Sequence, residues 1–188
     1  ITQDGHLISE VFIVDIPGDV TQRGDTPLQG TLTSRPAPPR GTIQRRLTFT
    51  ADRRHPGIQG PRHWLRSSPD GERIAFLMKD DDGIVQVWII SPRGGPMSHL
   101  THSSHPIASA FTWSPDGRAI ACIIDGSVSY IDASTGDATR LTQRVVGDHA
   151  PRPEACVFSP DGSRIAFVKS VESASGVWNQ IMVVEVAK

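Results

Sequence analysis

Lysine, cysteine, tyrosine and long apolar runs are all scarce in this 188-residue chain, and each scarcity closes a class of explanation. Cys122 and Cys156 are the only cysteines, too few for a disulfide framework and at no metal-ligand spacing. No apolar run approaches the roughly 20 residues that a membrane-spanning helix needs, so membrane insertion is not expected. Lys plus Arg (19) nearly balances Asp plus Glu (20), for a formal charge of -1. The chain therefore lacks the positive field of a general nucleic-acid binder. No Gly-x-Ser-x-Gly elbow is present, which argues against a serine hydrolase domain. Gly94-Gly95-Pro96 matches neither nucleotide-binding fingerprint. Neither an initiator Met nor a signal-peptide pattern opens the chain at Ile1, so the expectation is a chain that begins inside a longer precursor.

What is abundant is punctuation. Gly (17) and Pro (15) disfavour long helices, and their placement is periodic. Ser68-Pro69-Asp70-Gly71, Ser114-Pro115-Asp116-Gly117 and Ser159-Pro160-Asp161-Gly162 start 46 and then 45 positions apart. Pro presets φ at the second position of a turn, Asp suits the third, and Gly accepts the left-handed conformation that closes a hairpin. An apolar stretch precedes each copy: Trp64 and Leu65, Phe111 and Trp113, Val157 and Phe158. A strand beginning Ile-Ala follows each, at Ile74, Ile120 and Ile165. A third strand is β-branched (85–90, 128–131, 181–186), and Leu100-Thr101 and Leu141-Thr142 mark a fourth. Four short strands per period of about 45 residues is the arithmetic of a β-propeller blade.

The fold class expected is therefore all-β, a β-propeller of four-stranded blades in a partial or incomplete ring. Residues 1–48 read as a partial blade, with a third strand at 11–16, Leu47-Thr48 as the fourth-strand mark, and a Pro-rich insertion at 17–42. Residues 49–101 and 102–142 read as blades, and 143–188 as a blade without its last strand. Both ends are incomplete, so the chain is expected to associate with the remainder of a longer chain or with a second copy, because open sheet edges invite pairing.

The pattern aromatic-Ser-Pro-Asp-Gly-x-x-Ile-Ala-Phe, a β-branched strand and Leu-Thr resembles the TolB-type (WD40-like) propeller repeat over roughly residues 43–188. Ser67 departs from it, standing where the other copies have Trp113 and Phe158. More narrowly, the segments Arg45-Arg46-Leu47-Thr48-Phe49-Thr50 and 60–71 resemble the YidR-like family of uncharacterised bacterial proteins, in which this chain would be the C-terminal half of a longer propeller. Propellers of related repeat type include TolB, which binds protein partners, oligogalacturonate lyases, which use channel-facing histidines and a metal, and the non-catalytic propellers of peptidases. The resemblance implies first strands that line a central channel.

Candidate chemistry lies in the loops leading into those first strands. His55 and His63, His102 and His105, and His149 sit there with Arg62 and Arg152. Converging imidazoles can hold a divalent metal when neutral or an anion when protonated. The plainer reading is a set of surface histidines and no cofactor. Eight arginines lie between Arg35 and Arg66, with Asp52 the only acid. They suit an anionic ligand or acidic partner, or they pair with Glu10, Asp15 and Asp19. Asp80-Asp81-Asp82-Gly83 lacks the alternation and distal Glu of an EF-hand and reads as a solvated hairpin turn. Both cysteines fall on apolar positions of the repeat and read as buried thiols. Two functions follow as expectations. The first is a non-catalytic propeller that binds a protein or a small anionic ligand at the channel mouth. The second is a metal-dependent lyase of acidic oligosaccharides, with His63, His105 and His149 as ligands and Arg62 or Arg152 facing substrate carboxylates.

Overall fold

A computed structural model of the chain describes residues 5–62 and 64–186. It is all-β, with one 3₁₀ turn at Gly147–His149. Two units are distinguished: 10–49, and the remainder.

In the smaller unit, β1 (Phe12–Asp15) pairs antiparallel with β2 (Ile43–Arg46), from Phe12 opposite Arg46 to Asp15 opposite Ile43. The Pro-rich segment between them forms no strand and folds on itself, with Arg40 N–H donating to Gln22 O (2.9 Å) and Thr31 N–H to Ser34 O (2.9 Å). Arg45 pairs with Asp15 (2.9 Å) and Arg46 with Glu10 (2.8 Å). Asp19 instead accepts from Thr21 and Gln22.

The larger unit holds three meandering antiparallel sheets, all of one design. Blade A comprises β3 (Arg66–Ser67), β4 (Ile74–Lys79), β5 (Val85–Ile90) and β6 (Ser98–His99). Blade B comprises β7 (Thr112–Trp113), β8 (Ala119–Ile124), β9 (Ser127–Asp132) and β10 (Ala138–Arg140). Blade C comprises β11 (Val157–Phe158), β12 (Arg164–Ser173) and β13 (Gly176–Glu185).

The Ser-Pro-Asp-Gly turn is the same object three times. Each Ser hydroxyl donates to the Asp carboxylate two residues on (2.5, 2.6 and 2.5 Å) and accepts the N–H five residues on (Arg73, Ala119 and Arg164; 3.0, 2.9 and 3.0 Å). The closing glycines take φ of 73°, 70° and 72°, the left-handed region that side chains with a Cβ disfavour. A second local device hides in the Leu-Thr pairs. The hydroxyls of Thr48, Thr101 and Thr142 accept the N–H of Val11, Val87 and Val128 (2.8, 3.0 and 3.0 Å), tying the end of each hairpin to its third strand.

Packing explains why β8 is buried throughout. Ile120, Cys122 and Ile124 face Ala75, Leu77 and Val87 of blade A, while the alternate residues Ala121 and Ile123 face Cys156, Ile165 and Phe167 of blade C. Period-2 alternation thus feeds two cores, one on each side of a single sheet. Both cysteines are fully buried. One reading is corrected here: Trp64 and Leu65 do not belong to the first strand of blade A, which is Arg66–Ser67, and they are 53% and 39% exposed.

Candidate functional site

A meander alternates its turns between two ends. The Ser-Pro-Asp-Gly turns define one end of the blades. The hairpins joining second to third strands (80–84, Asp125-Gly126, 174–175) and the connections into each first strand (50–65, 100–111, 141–156) define the other, and the described candidate residues lie on these connections.

Each connection is tied to its blade at the same place. The N–H groups of Gln59, Ala108 and Arg152 donate to the carbonyls of Leu77, Ile123 and Val168 (3.0, 2.8 and 2.9 Å), which are equivalent positions of the second strands. The first strands are mutual neighbours, with Arg66 Nε donating to Phe111 O (3.4 Å) and the Thr112 hydroxyl to Cys156 O (2.5 Å). They therefore form the inner edge of the stack, and the connections end beside it.

This anchoring brings Arg62 and Arg152 together, although 90 residues separate them. Arg62 Nη2 lies 3.8 Å from Glu154 Oε1, and Arg152 Nε lies 3.3 Å from Glu154 Oε2. Glu154, which no motif singled out, is the carboxylate that joins the loops of blades A and C. The three side chains are about equally exposed, at 44%, 40% and 36%.

The histidines go elsewhere. His55 packs beside Gly83, its Nε2 3.3 Å from where a Cβ would stand on that glycine. His105 Nε2 lies 3.8 Å from Asp125, and His149 Nε2 lies 3.6 Å from Glu172. Each imidazole thus meets the second hairpin of its own blade, so these three face three separate tips. His102 meets His99 edge-on (4.2 Å), and His99 stacks on Trp88 (4.4 Å), near which Arg53 also lies (4.7 Å). Burial, and then the neighbouring His102, push the His99 imidazole below its ordinary pKa. His63 lies outside the described residues. Among the described residues no group of three or more His, Cys, Asp or Glu side chains is arranged to hold a metal ion.

The acidic hairpin behaves as a turn. Asp80 accepts the N–H of Ile84 and Asp82 and the Gln86 side-chain amide (2.9, 3.1 and 3.1 Å), and Asp81 pairs with Arg53 (3.2 Å). Asp125 at the tip of blade B was not singled out by any motif. It accepts from Arg144 (2.8 Å) and Arg140 (3.1 Å), and the Arg144 hydrogen bond holds its carboxyl below the usual range. Its neighbours are distant in sequence, but the Asp-Gly pair at 125–126 is itself a hairpin signal, realised here with φ of 47° and 68°.

No family model matches the chain. It is 46% identical over 169 residues to the uncharacterised protein YidR of Escherichia coli (strain K12), an alignment covering 88% of this chain and 40% of YidR. The chain thus spans less than half the length of that curated relative. Among solved structures it is similar to TolB from Acinetobacter baumannii, with a TM-score of 0.54, 21% identity and coverage of 76% of this chain and 34% of that one. It is likewise similar to an oligogalacturonate lyase from Vibrio parahaemolyticus, with a TM-score of 0.52, 15% identity and coverage of 87% and 37%. Sheets, turns and neighbours agree on a partial β-propeller with the TolB-like fold.

Proposed function

We propose that this TolB-like propeller is a non-catalytic binding module that takes a carboxylate-bearing ligand, an acidic segment of a partner protein or a small anion, at the loop end of its blades. The observation that carries the reading is the meeting of Arg62 and Arg152 on Glu154 beside the inner strands. Guanidinium forks match carboxylates in two-point geometry. An exposed ion pair of this kind contributes about 1 kcal/mol at most, so an incoming carboxylate displaces Glu154 at small cost and gains two cations. The lyase alternative asks for imidazoles on one ion. His105 and His149 face different hairpins, which weighs against it.

The test is fluorescence anisotropy with a fluorescein-labelled hexaglutamate peptide. Binding should weaken between low salt and about 0.2 M salt, disappear in the Arg62→Ala/Arg152→Ala double variant, and strengthen several-fold in Glu154→Gln. A peptide that fails to bind at low salt, or binds the double variant as well as the parent, overturns the proposal. Release of unsaturated product from trigalacturonate in the presence of a divalent metal would install the lyase in its place.

A further inference from the structure

At the opposite end of the blades, the contact between neighbouring sheets is built twice on the same backbone plan, with different side chains at three of its positions. Between blades A and B, Arg73 crosses the gap. Its guanidinium lies 4.7 Å from the Trp113 ring centre, its Nη2 donates to Gly117 O (2.7 Å), and its Nη1 donates to Ala133 O (3.3 Å). Pro69 packs on the glycine of the next turn, 3.4 Å from where a Cβ would stand on Gly117.

Between blades B and C the same parts recur. Pro115 lies 3.7 Å from the equivalent point on Gly162. Phe158 stands for Trp113, each being the residue before its Ser. Val186 stands for Ala133: Ala133 N–H donates to Arg118 O (2.8 Å) and Val186 N–H to Ser163 O (2.9 Å). The position of Arg73, fixed by its N–H on the Ser68 hydroxyl, is held by Ala119 on the Ser114 hydroxyl. A cleft of about 250 Å³ lies between the two sheets here. Tyr130 and Phe158, edge to face at 6.3 Å, line it together with Gly162 and Val186, and Asp116 and Asp161 add two carboxylates.

We infer that this cleft is a binding site for the guanidinium group of an arginine side chain on a peptide ligand, received as Arg73 is received one blade earlier. The chemistry is specific. A planar fork can donate to two carbonyls while its face lies on an aromatic ring, which an ammonium cannot do. The volume is below the roughly 300 Å³ where pockets for drug-sized ligands begin, so it suits a single side chain. Hydrogen bonds, first from the Ser114 and Ser159 hydroxyls, hold both Asp116 and Asp161 below the ordinary carboxylate range, so both are anionic at neutral pH. This site lies at the other end of the blades from Arg62 and Arg152, so its fate is independent of the function proposed above.

Tyr130 is the only tyrosine in the chain, so tyrosine-selective isotope labelling places a single NMR reporter in the cleft wall. Titration with N-acetyl-L-arginine amide should shift the Tyr130 ring signals with a Kd on the order of millimolar. N-acetyl-L-lysine amide should bind about tenfold more weakly. Asp116→Asn/Asp161→Asn, which keeps the side-chain oxygens that the turns require, should weaken binding by about tenfold. Ala119→Arg, which supplies the guanidinium from within, should abolish the response; should that variant fail to fold, the Asn pair carries the test alone. Tyr130 signals unmoved at roughly 50 mM arginine amide, an equal response to the lysine derivative, or full affinity in the Asn pair would each overturn the inference.

Discussion

Ser159 and Asp161 show what the repeated turn does to a single ionisable group. The Ser159 hydroxyl, the Ser163 N–H and the Ser163 hydroxyl all donate to Asp161, and together they hold its carboxyl well below the usual carboxylate range. Protonation is therefore harder in the folded chain than in the unfolded one. The stabilisation is complete above the unfolded-state pKa of about 3.9 and disappears as pH falls through the lower folded-state value. Asp161→Asn should lower stability at neutral pH and flatten the acid limb of the stability profile between about pH 4 and pH 2, as read by urea unfolding from about pH 2 to pH 7. An unaltered acid limb would show that the carboxylate is not coupled to folding. The cysteines follow the same logic from the other side: burial drives the Cys122 thiol far up and pushes Cys156 up to about 12. Their apolar place in the repeat was legible because strand alternation is local, and both are core thiols.

At the scale of the element, the Leu-Thr pair marks more than a strand. Thr101 is buried, and its hydroxyl accepts from Val87 N–H while donating to Gln86 Oε1 (2.7 Å). Thr142 makes the corresponding bond to Val128 but is only half-buried. Replacing a buried hydroxyl by a methyl strands its partners away from water, at about 1–3 kcal/mol for each unsatisfied group. Thr101→Val should therefore cost about 2 kcal/mol or more by chemical denaturation, and Thr142→Val clearly less because water can reach its partner. Equal costs would contradict the role assigned to burial. The recurrence of Leu-Thr was visible in the chain. Its mechanism was not, because the Thr hydroxyl serves a strand 14 residues earlier in blades A and B, and 37 residues earlier at Val11.

On the scale of the whole molecule, the larger unit is a stack whose stability should be graded. β8 is paired on both edges and packed on both faces. β13 pairs with β12 alone among the described residues and exposes Trp178 (53%), Ile181 (76%) and Val183 (59%). Amide hydrogen exchange tracks such differences through local opening. Amides of 120–123 should exchange most slowly in the larger unit and those of 171–177 among the fastest, as measured by exchange mass spectrometry of the intact chain. Protection in 171–177 equal to that in β8 would refute this gradient.

The amino-acid sequence by itself determined the turns, the strand alternation and hence the blade, since each depends on residues a few positions apart repeating about every 45. It also placed every candidate loop at one end, because a meander has no other way to alternate. Which charges meet was decided only by the tertiary structure. Glu154 joins Arg62 to Arg152, His105 and His149 turn to their own hairpins, and a cleft lined by Tyr130 and Phe158 lies between blades B and C. These arrangements depend on how side chains from separate repeats approach one another once the sheets are stacked.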